Sequence, residues 1–163
     1  MGKIGFKIRK ITKEDRGWIK KFITQNWGSE KIISKGKIYF PHKLPGFVAV
    51  REREYLGLIT YSVEGNDCQI ITLDSIIKRK GIGQALVKEV KKVAKNLGCK
   101  RIWLITTNDN IETFVFWQKI GFSIKAVYPN AISLSRKLKP EIPLIGNYGI
   151  PIKDEIELEL KLE

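Results

Sequence analysis

Cysteine and histidine are nearly absent from this 163-residue chain, which carries only Cys68, Cys99 and His42. So few ligands exclude a disulfide framework and a structural zinc site, and no metal is expected. Each cysteine borders an apolar strand and reads as a buried, inert thiol; His42 lies in a loop with no second imidazole to work with. Long apolar runs are missing too. Nothing is long enough to span a bilayer, and Met1–Lys10 lacks the uninterrupted apolar core of a signal peptide, so no membrane is expected and a cytoplasmic location is the default. Acidic residues are scarce, 17 against 30 lysines and arginines, for a formal charge of +13. That charge is scattered, with concentrations only at Lys78–Lys80 and Lys88–Lys100. No helix-turn-helix, zinc-finger or aromatic RNA-binding pattern accompanies it, so solvated helix faces explain it and no nucleic-acid partner is expected. The Walker Gly-Lys-Ser/Thr is absent, as is the third glycine of the dinucleotide fingerprint. Internal repeats and low-complexity segments are absent as well.

What is present is an ordinary globular composition, 43% hydrophobic and 29% charged, in a length that suits one domain over 1–163. Phe6 and Ile8 alternate with Lys7 and Arg9, a short first strand. Thr12 with Asp15 forms an N-cap arrangement, and Trp18, Ile19, Phe22 and Ile23 recur at helical spacing, so a helix is predicted from about Lys13 to Trp27. Gly28–Lys43 has no sustained period and reads either as a substrate-side lid or as plain surface loop. Phe47–Val50 and Tyr55–Val63 form a hairpin across Arg51–Glu54, and a second turn at Glu64–Asp67 leads into the strand Gln69–Leu73.

After that strand comes Leu-Asp-Ser-Ile-Ile-Lys-Arg-Lys-Gly-Ile-Gly-Gln, Leu73–Gln84, a basic, glycine-spaced turn opening into a helix. Glycines permit close backbone approach, and the first helical amides lack intrahelical partners at the positive end of the macrodipole, a setting for a polyphosphate. Ile82, Ala85, Leu86, Val90, Val93, Ala94 and Leu97 form the apolar stripe of that helix, and Gly98 stops it. Ile102–Ile105 reads as a strand covered on both faces and, through a right-handed crossover, parallel to the strand before the turn. Thr107–Asn110 supplies capping residues. Ile111, Phe114, Val115 and Gln118 share one face of a short helix ending at Gly121, followed by a strand over Phe122–Val127. Tyr128–Ile152 is irregular, with one short helix over Ala131–Leu138. Finally Ile156, Leu158, Leu160 and Leu162 alternate with Glu155, Glu157, Glu159, Lys161 and Glu163, which reads as a half-exposed strand with its glutamates in solvent.

The order of strands, then Lys78-Arg79-Lys80-Gly81-Ile82-Gly83, then helix, strand and Phe116-Trp117-Gln118-Lys119-Ile120-Gly121-Phe122, resembles the GNAT N-acetyltransferase superfamily over roughly Gly46–Val127. The tail, with Arg136-Lys137-Leu138-Lys139-Pro140 and Gly149–Glu155, is similar to that of a bacterial and archaeal subgroup of unknown substrate. The resemblance implies an α/β fold, a twisted mixed sheet of about seven strands flanked by helices. It also implies transfer of the acetyl group of acetyl-CoA to a primary amine, on a small molecule or a peptide, by direct attack in a ternary complex. Under it, the amides from Arg79 through Lys80, Gly81, Ile82 and Gly83 to Gln84 hold the cofactor pyrophosphate, while Lys78, Arg79 and Lys80 add positive charge at the rim of the cofactor site. Leu73 pairs with pantetheine and offers a backbone oxyanion donor, Asn110 and Phe116 line the channel, and Lys119 approaches the phosphates. The long tail either builds a homodimer interface or covers the sheet.

Three positions depart from the family pattern. Lys78 replaces the usual Arg or Gln, a mild change where backbone amides do the binding. Trp117 stands where many members carry a tyrosine acid, and Gln69 falls where many carry a glutamate base; neither indole nor amide performs those proton transfers. If the CoA thiol resembles cysteine, the missing acid costs about 2 kcal/mol at pH 7, whereas deprotonating a lysine-like amine without a base costs about 4.6 kcal/mol. Either the acceptor is weakly basic or another carboxylate serves through water, and Glu64, Asp67, Asp74, Glu112 and Glu155 are the candidates. A catalytically silent acyl-CoA-binding protein on the same fold is the alternative.

Overall fold

A computed structural model describes residues 5–163 of the chain; the first four residues of the Met1–Lys10 stretch lie outside the described ones. In chain order the elements are β1 (Lys7–Lys10), α1 (Arg16–Trp27), β2 (Ile32–Ser34), β3 (Lys37–Tyr39), β4 (Gly46–Arg51), β5 (Glu54–Glu64), β6 (Asp67–Ser75), α2 (Ile82–Asn96), β7 (Arg101–Thr107), α3 (Ile111–Lys119), β8 (Ser123–Tyr128), α4 (Ala131–Leu138) and β9 (Glu155–Lys161). Seven strands make one mixed sheet in the order β1-β4-β5-β6-β7-β9-β8, while β2 and β3 form a separate hairpin. Among the described residues only β6 and β7 run parallel, joined by the α2 crossover. A mixed seven-stranded sheet flanked by four helices is the fold expected from the sequence.

Two apolar layers cover the sheet. On one face α2 buries Ile82, Leu86, Val87, Val90 and Ala94 against Phe47, Leu56, Ile59, Ile70 and Ile102. On the other, Ile19 and Ile23 of α1 pack on Val48, Leu58 and Ile71, and Trp18 stacks on Tyr55 with centroids 3.9 Å apart. Asp15 fixes the entry of α1. Its carboxylate accepts from the Thr12 amide (2.8 Å), from both Arg9 Nη atoms (2.7 and 3.0 Å) and from the Tyr55 hydroxyl (2.7 Å). These donors, Arg9 foremost, outweigh burial and hold the Asp15 carboxyl well below the usual carboxylate range. A depressed folded pKa contributes stability above the unfolded value near 3.9, lost as pH falls below it. Asp15→Asn is therefore expected to lower stability by about 2 kcal/mol at pH 7 in urea unfolding, and to flatten the acid limb of the stability profile.

Four expectations need correction. Gly28–Lys43 is not plain surface loop but contains the β2–β3 hairpin, its two-residue turn made by Lys35 and Gly36 at φ +49° and +76°. In α3 the buried residue is Trp117, while Ile111 and Val115 are exposed, because the helix packs its aromatic side on the core and turns the expected apolar face outward. Leu97, placed on the α2 stripe, is exposed because the helix has already ended and Gly98 turns the chain away at φ +75°. Last, β9 is not half-exposed: Glu155 and Glu157 are each only 3% exposed. The strand sits inside the sheet between β7 and β8, and the hairpin lies over its glutamate face. Both cysteines are buried, and burial pushes the Cys68 thiol up to about 12, in line with inert thiols.

Candidate active site

The parallel pair comes apart where the site begins. β6 and β7 pair only over Asp67–Ile70 and Arg101–Leu104, although β6 continues to Ser75 and β7 to Thr107. The register of β6 against β5 shifts at the same level, skipping Ile71. Ile76 N–H donates to Leu56 C=O at 2.9 Å, so these two form a hydrogen-bonded pair. Antiparallel alternation then leaves Ile59 and Leu73 as a non-hydrogen-bonded pair, and the Leu73 N–H and C=O face away from β5 into the gap vacated by β7. A cleft of about 1230 Å³ fills that gap, running from Trp27, Ile71 and Ile105 past Leu73 to the loop after β6.

At the far end of the cleft the chain turns through Arg79 at φ +60° and Gly81 at φ +79°. Gly81 caps α2, and the first intrahelical bond is Ala85 N–H to Gly81 C=O at 3.0 Å. The amides of Ile82, Gly83 and Gln84 therefore have no helical acceptor, and the first turn of α2 holds no acidic residue to neutralise them. Lys78, Arg79, Lys80, Asn110, Phe116 and Lys119 line the same cleft. Gly83 is pressed against α3: a Cβ there would lie 3.3 Å from Phe116 Cζ. Trp117 is 4% exposed, tilted between Phe116 and Phe122 at centroid distances of 5.0 and 4.9 Å. The structure thus gathers all the residues expected around a cofactor into one cleft.

The proton-transfer positions behave differently. Gln69 is buried and engaged at both ends of its amide, donating to Ser34 Oγ (2.8 Å) and accepting from the Tyr39 hydroxyl (3.1 Å), so it ties the hairpin to the sheet. Asp74 receives the Trp27 indole N–H on Oδ1 (3.3 Å), while Oδ2 is sealed from solvent without a partner. Burial pushes Asp74 up to about 6 against the opposing pull of Trp27 and Lys78. Of the other carboxylates, Glu64 bridges to Lys37, Asp67 to Arg101, and Glu112 accepts from the Tyr148 hydroxyl. Glu155 accepts the Lys35 amide on Oε2 (3.2 Å), and its Oε1 makes no hydrogen bond among the described residues. Burial raises the Glu155 pKa, opposed by the Lys35 amide and charge. Burial acts on Glu157 in the same sense, but Arg101, Tyr128 and Lys35 together outweigh it and hold that carboxyl low. Sequence reasoning missed Trp27, Ser34, Lys35, Tyr39 and Tyr128. The available signal was Gly36 between two short segments, Ile32–Ser34 and Lys37–Tyr39, the mark of a two-residue hairpin.

The mixed sheet thus has its parallel strands parting beside a glycine-capped, acid-free helix start, an arrangement open to an anionic ligand. The chain belongs to the GNAT acetyltransferase family, whose model matches residues 12–122. It is 48% identical over 136 residues to uncharacterized protein YdhI of Bacillus subtilis (strain 168), covering 83% of this chain and 85% of that protein. With uncharacterized protein YxbD of the same organism it shares 41% over 143 residues, 87% and 90% of the two chains. Among solved structures, the IAA acetyltransferase from Bacillus cereus ATCC 14579 has the same fold at TM-score 0.70 and 19% identity, covering 97% of this chain and 100% of that one. A GNAT family acetyltransferase from Elizabethkingia anophelis with acetyl-CoA bound superposes at TM-score 0.68 and 21% identity, covering 96% and 98%. No helix among the described residues is long and apolar enough to cross a membrane.

Proposed function

We propose that residues 1–163 act as one N-acetyltransferase domain that moves the acetyl group of acetyl-CoA to a primary amine by direct attack in a ternary complex. The observation that carries this reading is the Leu73 edge, whose unpaired N–H and C=O face the same cleft that the free amides of Ile82–Gln84 enter. An amide-bearing arm ending in a polyanion fits both ends: strand backbone for the amides, cationic loop and helix amides for the phosphates. Lys78, Arg79, Lys80 and Lys119 add charge there, Gly81 and Gly83 allow the approach, and Asn110 and Phe116 wall the channel.

Within this scheme the acceptor nitrogen forms a bond to the thioester carbonyl carbon as the C–S bond breaks, and the Leu73 N–H donates to the developing oxyanion. Gln69 takes no proton, since both ends of its amide serve the hairpin, and Trp117 offers none to the departing thiolate. Proton acceptance from the acceptor falls to Glu155, a buried carboxylate with one oxygen free. Asp74, the other carboxylate with a raised pKa, is second because Oδ1 is taken by Trp27 and Oδ2 is sealed.

The test is an acceptor screen with purified protein and acetyl-CoA, recording product mass and free CoA for amines of graded basicity. Acetylated product with matching CoA release supports transfer. Binding of acetyl-CoA with no product from any amine would instead support a silent acyl-CoA-binding protein, the reading favoured by the engaged Gln69 amide.

A further inference from the structure

The turn of the β2–β3 hairpin contains an ill-suited residue. Two-residue turns with both central φ values positive favour Asn, Asp and Gly, yet Lys35 holds the first position at φ +49°. What that conformation achieves is the placement of one ammonium. Lys35 Nζ lies 4.6 Å from the Tyr128 ring centroid and 5.7 Å from that of Trp103. It donates to the Tyr128 hydroxyl at 3.1 Å and sits 3.5 Å from Glu157 Oε1. Glu157 is in turn held by the Tyr128 hydroxyl and by Arg101, each at 2.7 Å. Two aromatic rings and a buried, ionised carboxylate surround the ammonium, with the Arg101 guanidinium 4.9 Å from the Trp103 centroid as a second, fixed cation of the cage.

The hairpin does not need this ammonium to stay in place. Gln69 already binds Ser34 and Tyr39, and the Lys35 backbone already binds Glu155. The Lys35 side chain also remains 42% exposed, so it can leave toward solvent. The cage lies beside the cleft and not in its lining: Glu157 stands directly opposite Ile105, which lines the cleft, and Trp103 lies two residues before Ile105 on the same side of β7. Glu155 lies two residues from Glu157 on the same side of β9.

We propose that the cage of Trp103, Tyr128 and Glu157 is the seat of the acceptor's alkylammonium, and that Lys35 holds that place until an acceptor displaces it. The inference rests on the amine-transfer reading and names its substrate class: a primary alkylammonium, not an aromatic or otherwise weakly basic amine. On binding, the ammonium passes one proton to the Glu155 carboxylate, the neutral nitrogen then bonds to the thioester carbonyl carbon, and the second N–H proton goes to the thiolate sulfur released as the C–S bond breaks.

The seat can be tested without turnover, by calorimetric titration of n-butyltrimethylammonium chloride into the full chain. Lys35→Met, which keeps the aliphatic stem and the backbone bond to Glu155, should bind the probe about tenfold more tightly than the parent. Trp103→Leu added to Lys35→Met should remove that gain. Lys35→Gln gives the same comparison should the methionine variant fail to fold. Equal affinity for the parent and the Lys35 variant, or a gain that survives Trp103→Leu, would overturn the seat. Because the probe cannot be acetylated, absence of transfer to every amine leaves this measurement standing, while efficient transfer without probe binding overturns the seat alone.

Discussion

Replacing Gly83 with valine is expected to weaken acetyl-CoA binding by about a hundredfold in a calorimetric titration, on the order of 2.7 kcal/mol, with the helical signal in far-UV circular dichroism retained. Position 83 is the second residue of a helix whose first amides face the cleft, and its backbone is packed on Phe116. Even a single Cβ would stand 3.3 Å from Phe116 Cζ and 3.4 Å from Cε1. Valine adds two further methyl groups. They must either push Phe116 and α3 back, distorting the channel wall, or swing α2 outward and misdirect the amides of Ile82–Gln84. Gly81→Ala acts by another route: space is open around its Cβ, but φ of +79° is strained for any L side chain, so the loop rather than the packing gives way. An unchanged dissociation constant for Gly83→Val would refute the assignment of this helix start to the phosphates.

The second large effect concerns the proton. With n-butylamine as acceptor, Glu155→Gln should lower kcat about a hundredfold at pH 7, the scale of a general-base contribution, with the KM for acetyl-CoA little changed. The pH profile supplies the sign. Glu155 must be ionised to accept a proton, and burial raises its pKa above the ordinary glutamate value, so kcat in the parent falls as pH drops through that raised value. Glu155→Gln should lose this inflection. The groups facing Glu155 are the Lys35 amide and ammonium, so neutralising Lys35 should move the inflection upward. Asp74→Asn is the control: Asp74 also titrates near the useful range, at about 6, and if its loss, not that of Glu155, abolishes the inflection, the two roles must be exchanged.

Much of the cleft around the glycine turn was legible in the sequence because it is local. Leu73–Gln84 is one continuous segment in which strand, turn and helix start follow each other, and turn chemistry and capping depend on nearest neighbours. Phe116–Phe122 is equally contiguous, and its order after the glycine turn specified the family. The carboxylate cluster beneath the hairpin was not legible, since it is assembled across long sequence separations. Gln69 meets Ser34 and Tyr39 over 35 and 30 residues, and Lys35 meets Glu155 over 120. The alternation Glu155-Ile156-Glu157-Leu158 identifies a strand but is silent about what covers each face. Read alone it puts the glutamates in water.

The sequence by itself therefore determined the element order outside Gly28–Lys43, the parallel crossover through α2, the glycine-capped helix start and the family, all of which follow from periodicity, capping and short-range motif spacing. Only the tertiary structure decided where β6 and β7 part, that β9 enters the sheet between β7 and β8, and that the β2–β3 hairpin closes over it. The hairpin and the sheet strands remove Glu155 and Glu157 from solvent. Burial then raises one carboxyl, while Arg101, Tyr128 and Lys35 hold the other low. That difference arises from desolvation and through-space charge, which depend on distance in the folded molecule and not on distance along the chain.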